Sequence, residues 1–264
     1  MHQFATAFLA AFIFVLPISA QTKQLSIRWH GQAFFEIKTS AGTRIVIDPH
    51  AIEAFGERND IKADLICITH LHNDHTQVGV IENFDPRKAK DMLRVGLKDE
   101  KGDGKRLDWN IIENEKFKDI KISTVGLYHD EVRGMMRGKN SAFILEVDGF
   151  RIVHLGDLGH LLSKDQIKKI GAVDILMIPV GGVYTINGTE AKKVVEQLNP
   201  KHYILPMHYG VKGYDALLTP EEFLEDVKED QILRPRDELK IDVGAKAPAK
   251  PKIVLLGWER KKAD

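Results

Sequence analysis

The sequence predicts an α/β (α+β) fold: two β-sheets with helices between and outside them. Three observations carry this. A hairpin signature occurs in each half of the chain. Each hairpin runs into an aspartate, then a short connection, then a buried strand. Between and after these units lie segments with helix-capping residues and no strand alternation.

The first hairpin pairs Ala33-Phe-Phe-Glu-Ile-Lys38 with Thr43-Arg-Ile-Val-Ile-Asp48 across Thr39-Ser-Ala-Gly42, and Pro49 stops it. Sixteen residues after Asp48, Asp64 opens the apolar strand Leu65 to Thr69. Ile122 to Tyr128 is a further strand-like run. The second hairpin pairs Ser141 to Val147 with Phe150 to Leu155 across Asp148-Gly149, a tight-turn dipeptide, and runs into Gly156-Asp157. Seventeen residues after Asp157, Asp174 opens the buried strand Ile175 to Val180. The same order in both halves reads as an internal repeat. Ser163 caps a helix to Ile170, and Thr189 caps another that closes at Leu198 before Pro200. His202 to Pro206 is a strand to the same end. Thr219-Pro-Glu-Glu222 begins a helix expected to reach about Asp230, with proline at its first position. Residues 245–252, rich in Ala, Lys and Pro, are a loose linker before a last strand, Ile253 to Leu256.

The chemistry concentrates at Thr69-His-Leu-His-Asn-Asp-His75. Neutral imidazoles and a carboxylate are ligands that zinc and its neighbours accept. They emerge at a strand end, where a rigid sheet holds a loop. Strand alternation lets His70 and His72 face one way, with Leu71 turned back into the protein. Asp74 and His75, around the turn, can face a second ion. Three other groups follow strands in the same manner: His129, Asp157 and His208. Asp157 is the natural bridge between two cations, with Gly156 and Gly159 leaving room around it. His129 completes one site with His70 and His72; Asp74, His75 and His208 make the other. Each ion then keeps a position for water, as catalytic sites require. His30, His50, His154, His160 and His202 are not read as ligands, although His154 and His160 are placed to support one.

Composition bounds the partners. The chain has 264 residues, 43% hydrophobic and 29% charged, with zero formal net charge. No long-range field for nucleic acid is expected, and a small molecule is the expected partner. The charged stretch Pro86 to Arg106 carries both signs and reads as a solvated face or loop. Phe4 to Leu16 is an apolar run of signal-peptide length, with Ser19-Ala20 for cleavage. Residues 1–20 are therefore read as an export signal, in preference to an uncleaved anchor or a buried helix, and 21–264 as one domain. The mature protein is expected in the periplasm or secreted, without a membrane span. Cys67, the single cysteine, excludes an intramolecular disulfide and reads as an inert core thiol.

The His-x-His-x-Asp-His pattern at 70–75, followed by His129, Asp157 and His208, resembles the metallo-β-lactamase fold hydrolases. Leu155-Gly-Asp-Leu-Gly-His160, Ile178 to Thr185 and Pro206-Met-His-Tyr209 look like the small stand-alone members allied to the ascorbate-6-phosphate lactonases. The resemblance spans roughly residues 25–215 and implies a four-layer αββα sandwich with a dinuclear site. Asp at 157 departs from the broad-spectrum β-lactamases, which place Cys there or lack the bridge. His at 72 departs from the oxygen-reducing di-iron members, which carry Glu.

Two divalent cations, zinc by default with manganese or iron as alternatives, lower the pKa of a bridging water from about 15.7 toward about 7. Asp74 and Asp157 are expected to position the resulting hydroxide against a small ester-like substrate, a lactone or phosphoester. Tyr209, Tyr184, Asp130 and His160 are candidate donors to the leaving group. Arg133, Arg137 and Lys139 lie on a loop that Gly134 and Gly138 are expected to make mobile, either a clamp for an anionic substrate or an ordinary solvated loop. Gly181 to Thr185 either walls the site through Tyr184 or serves a turn. The alternative function is a non-catalytic metal-binding or sensing protein that keeps the fold.

Overall fold

The computed structural model describes residues 22–56, 60–102 and 106–257; the apolar segment read as an export signal lies outside them. Among the described residues no helix is long and apolar enough to cross a membrane.

In chain order the strands begin with β1 (Gln24–Trp29), β2 (Phe35–Lys38), β3 (Arg44–Ile47), β4 (Leu65–Ile68), β5 (Leu93–Val95), β6 (Leu97–Asp99), β7 (Leu107–Trp109) and β8 (Glu115–Phe117). They continue with β9 (Ile120–Tyr128), β10 (Lys139–Val147), β11 (Phe150–His154), β12 (Ile175–Pro179), β13 (Tyr203–Met207), β14 (Ile232–Leu233), β15 (Leu239–Asp242) and β16 (Lys252–Val254). The helices are α1 (Ala89–Met92), α2 (Lys164–Ile170), α3 (Gly188–Leu198) and α4 (Glu221–Leu224). One mixed sheet runs β15-β1-β2-β3-β4-β5 and the other β14-β16-β13-β12-β11-β10-β9-β8.

The pleat distributes the core. Ile45, Ile47, Leu65 and Cys67 face the second sheet and join Phe143, Ile152 and Met177 in one apolar cluster. Their alternates Val46, Ile66 and Ile68 face outward, under Ile81 and Met92. The inner faces of the sheets meet directly, with the ring of Phe35 edge-on to that of His154. Among the described residues no helix lies between them, contrary to the expected layering: the apolar inner faces bury each other in one cluster. Burial pushes the Cys67 thiol up, which makes it inert.

The internal repeat has a structural counterpart. Arg44 N–H donates to Asp64 Oδ2 at 2.9 Å, and Asp64 N–H returns a bond to Arg44 O at 2.8 Å. Arg151 and Asp174 make the same exchange at 2.8 and 2.9 Å. Each exchange pins a hairpin strand beside the parallel strand that follows, β3 beside β4 and β11 beside β12. These strands end at the same edge, as do β9 and β13, so every ligand candidate is delivered there.

Several local expectations change. The cap of α3 is Asn187, whose side chain accepts from Glu190 N–H while Glu190 caps Asn187 in return; Thr189 instead bonds Glu222. The expected 219–230 helix stops at Leu224: Glu225 is extended and Asp226 has φ 65. The charged 86–106 stretch is not a plain solvated face. It supplies α1, the edge strand β5 and the β6 ribbon strand, with Met92 and Leu97 buried beneath. Lys139 opens β10, and its ammonium covers Trp109 and bonds Asp108.

Buried His50 carries a pH consequence. Burial lowers its pKa to about 4. The unfolded chain takes up this proton near pH 6.5 but the folded chain waits until about pH 4, so stability falls as pH drops through that window, by up to about 3 kcal/mol for this group. Thermal unfolding at pH 7 and pH 4.5 measures it; a His50→Gln variant with the same acid loss as wild type would remove His50 as a cause.

Candidate metal centre

The six-residue loop after β4 forms a short 3₁₀ turn, Asn73–His75, which folds Asp74 and His75 back toward the strand end. His129 follows β9, Asp157 follows β11 and His208 follows β13. The seven expected side chains assemble in two groups: His70, His72 and His129, and Asp74, His75, Asp157 and His208. Within each group the ligand atoms lie within 4.8 Å of one another. His70, His75, His129, Asp157 and His208 are buried, Asp74 is half-buried and His72 is exposed, so the pair opens to solvent on one side.

Asp157 Oδ2 is the common point. It lies 3.2 Å from His75 Nε2, 3.2 Å from His129 Nε2, 3.1 Å from His208 Nε2 and 3.9 Å from His70 Nε2, reaching both groups. Burial opposes its ionisation, but His208 and His75 hold the carboxyl far below its ordinary range. Asp157 Oδ1 is buried without a hydrogen-bond partner. Burial drives His70 well below its ordinary value, and His75 beside it adds to the effect. Five imidazoles, the half-buried Asp74 carboxylate and the buried Asp157 carboxylate with its unpaired Oδ1 form a donor set that fits two divalent cations.

A supporting layer fixes these ligands, and the sequence reading did not name it. Asp48 lies at the first repeat position equivalent to Asp157. Its Oδ1 accepts Thr69 N–H at 2.7 Å, its Oδ2 accepts the Thr69 hydroxyl at 2.6 Å, and Oδ2 lies 2.9 Å from His75 Nδ1. Having given its proton to Asp48, the Thr69 hydroxyl accepts from His70 Nδ1, 3.0 Å away, which leaves His70 Nε2, 3.1 Å from His72 Nδ1, with its lone pair toward the centre. One carboxylate thus orients a histidine of each group. Replacing Asp48 with Asn should weaken metal affinity about 10–100-fold with the fold retained; competition with a chromophoric chelator reads it, and unchanged affinity would rule out this orienting role.

Gln32 was also unread. It has φ 50; its carbonyl accepts from Trp29 Nε1–H at 2.9 Å and His208 N–H at 3.0 Å, and its Nε2 donates to Asp74 Oδ2 at 3.0 Å. The signal was a lone amide after Gly31, between an aromatic strand end and an apolar run.

Four expectations are corrected. Leu71 does not turn inward: it is 42% exposed, because the chain leaves strand geometry at Thr69. Gly156 and Gly159 leave no open space: a Cβ on Gly156 would meet Asn140 Oδ1 at 2.3 Å, and one on Gly159 would meet His129 C at 2.3 Å. The 131–139 loop is pinned, since the Asp130 carboxylate accepts N–H bonds from Val132, Gly134, Met136 and Arg137. Three candidate proton donors are already engaged. Asp130 is that staple, His160 bonds Tyr128 N–H and Leu161 O, and Tyr209 is buried on Trp29 at 4.9 Å. His160 therefore supports the end of β9 through the main chain. His154, by contrast, accepts Gly156 N–H and so steadies the turn that carries Asp157. Tyr184 remains half-exposed beneath the Arg137 guanidinium, and Tyr214 feels the charges of Asp74 and Asp157.

Residues 26–208 match the family model described as a β-lactamase superfamily domain. The chain is similar to the UPF0173 metal-dependent hydrolases of Thermococcus onnurineus and Pyrococcus furiosus, each 31% identical over 228 residues, spanning 82% of this chain and all of the relative. It is also similar to a solved structure from Thermotoga maritima described as a Zn-dependent hydrolase of the metallo-β-lactamase superfamily. There the identity is 30% and the TM-score 0.64, over 88% of this chain and 98% of that one.

Proposed function

This chain belongs to the β-lactamase superfamily, and we propose that within it the protein is a dinuclear metal-dependent hydrolase of a small ester-like substrate, a lactone or phosphoester. The observation that carries this reading is Asp157 Oδ2, within 3.9 Å of histidines from both groups. His70, His72 and His129 would hold one ion; Asp74, His75 and His208 would hold the second, with Asp157 between them. When bound, two such ions, zinc by default, acidify a water and polarise a carbonyl or phosphoryl oxygen.

The chain's own residues supply the remaining parts. Asp48 and Thr69 keep the imidazole protons on the nitrogens that face away from the centre. Asp74, held by Gln32, and Asp157 orient the attacking water. The open side at His72 admits substrate. The relatives' designation as metal-dependent hydrolases agrees with this assignment.

Metal analysis of the purified protein followed by a panel of phosphodiesters and lactones tests it. About two ions per chain with turnover of at least one class is the expected result. Two ions with no turnover across the panel would replace it with a non-catalytic metal-binding role.

A further inference from the structure

Eleven large apolar side chains stand exposed among the described residues, and seven of them sit on loops that carry or touch the ligand residues. Leu71 lies between His70 and His72. Val132, Met135 and Met136 lie on the loop after His129. Val183 and Tyr184 face that loop, for Arg137 donates to Val183 O at 3.2 Å and lies over the Tyr184 ring. Leu218 donates to Gly181 O, and Gly181 donates to His208 O.

The exposure is imposed by the backbone. Met136 N–H and Arg137 N–H are tied to Asp130 at 3.0 and 2.7 Å, so the loop cannot fold its methionines away. Met135 is 86% and Met136 77% exposed, beside a centre with one open side. Apolar surface on this scale, held out around a reaction site, marks a binding surface. Methionine adapts to chains of varied length and shape. The cations within the rim are Arg133 and Arg137, enough for one anionic group but not the polybasic cluster an anionic membrane attracts. A second copy seated there would close the open side at His72.

We infer, on the hydrolase reading above, that the substrate is a monomeric amphiphile, an ester or phosphodiester whose acyl or alkyl chain lies over Met135, Met136, Val183 and Tyr184 while its scissile group reaches the metal-ligand groups. The test uses the zinc-loaded protein with methyl, butyl and octyl 4-nitrophenyl phosphodiesters. KM should fall roughly tenfold or more from methyl to octyl with kcat nearly constant, since each methylene laid on apolar surface leaves water. In M135S/M136S the octyl KM should rise toward the methyl value. Calorimetry adds a readout independent of turnover: octylphosphonate should bind more tightly than methylphosphonate, and the double variant should lose the difference. A KM and an affinity independent of chain length would overturn the inference and leave the hydrolase reading intact. Octylphosphonate preference without turnover of any ester would defeat the hydrolase reading while the rim stands. Sedimentation with phosphatidylcholine vesicles, or a dimer dissociated by the double variant, would also overturn it, reassigning the rim to a membrane or to a second copy.

Discussion

Asp157→Ala protein is expected to retain one metal ion or none per chain, against about two in wild type, and to lose at least ~10³-fold in turnover, or about 4 kcal/mol of transition-state stabilisation. The reason is geometric. Oδ2 of this residue lies within 3.9 Å of histidines in both groups. Without it, the four buried imidazoles keep only the Asp74 carboxylate beside His75, and two cations placed there would repel across the gap with no charge between them. Elemental analysis and hydrolysis assays read the effect, with circular dichroism checking the fold. Asp157→Asn separates charge from shape, because the amide fills the space and leaves the cations unneutralised. Full metal content and full activity in the alanine variant would defeat the bridging role.

Gly159→Ala should destabilise the protein by about 2–4 kcal/mol, a fall in Tm of roughly 5–15 °C. The added Cβ would lie 2.3 Å from His129 C and 2.4 Å from Asp130 N, both main-chain atoms that cannot rotate aside. The 156–159 turn must then retreat from the end of β9. That retreat also widens the 3.2 Å separation of Asp157 and His129, so metal affinity falls with stability. Gly79→Ala is the matched control: a Cβ there meets nothing within 4 Å, and its Tm should stay close to wild type. A Tm for Gly159→Ala equal to that of the control would show that the turn accommodates the methyl group.

The residues brought together at the centre were legible because each stands just past a strand that its own apolar pattern announces. His70, His129, Asp157 and His208 needed no tertiary information beyond the rule that one sheet edge gathers strand ends. Their supports were less legible. Gln32 acts through a positive-φ main chain that receives His208 N–H, a contact no local pattern encodes. Asp48 was within reach, since the repeat that aligns Asp64 with Asp174 also aligns Asp48 with Asp157. Its contact with His75 depends on how the loop after β4 turns back over the end of its neighbour β3. At Thr219 to Asp230 the capping signals misled: Pro220 itself stands at the N-cap with no side-chain cap, and the helix ends at Leu224, just before Asp226 at φ 65. The mobility that Gly134 and Gly138 suggest for the loop after His129 is absent because the adjacent Asp130 carboxylate removes that freedom.

The Asp130 staple makes that loop unusually tolerant of change. All four bonds it accepts come from backbone N–H groups, which every residue except proline supplies. Gly134 is set by its φ of 79 and by Gly138 O, 2.8 Å from where a Cβ would stand. The side chains at 132, 135 and 136 stand exposed, while position 133, at φ 59, disfavours β-branched residues. This short stretch can therefore be rewritten, by evolution or by a designer, without disturbing the strands or the ligands they present. New selectivity can be explored at positions where the fold has almost no vote.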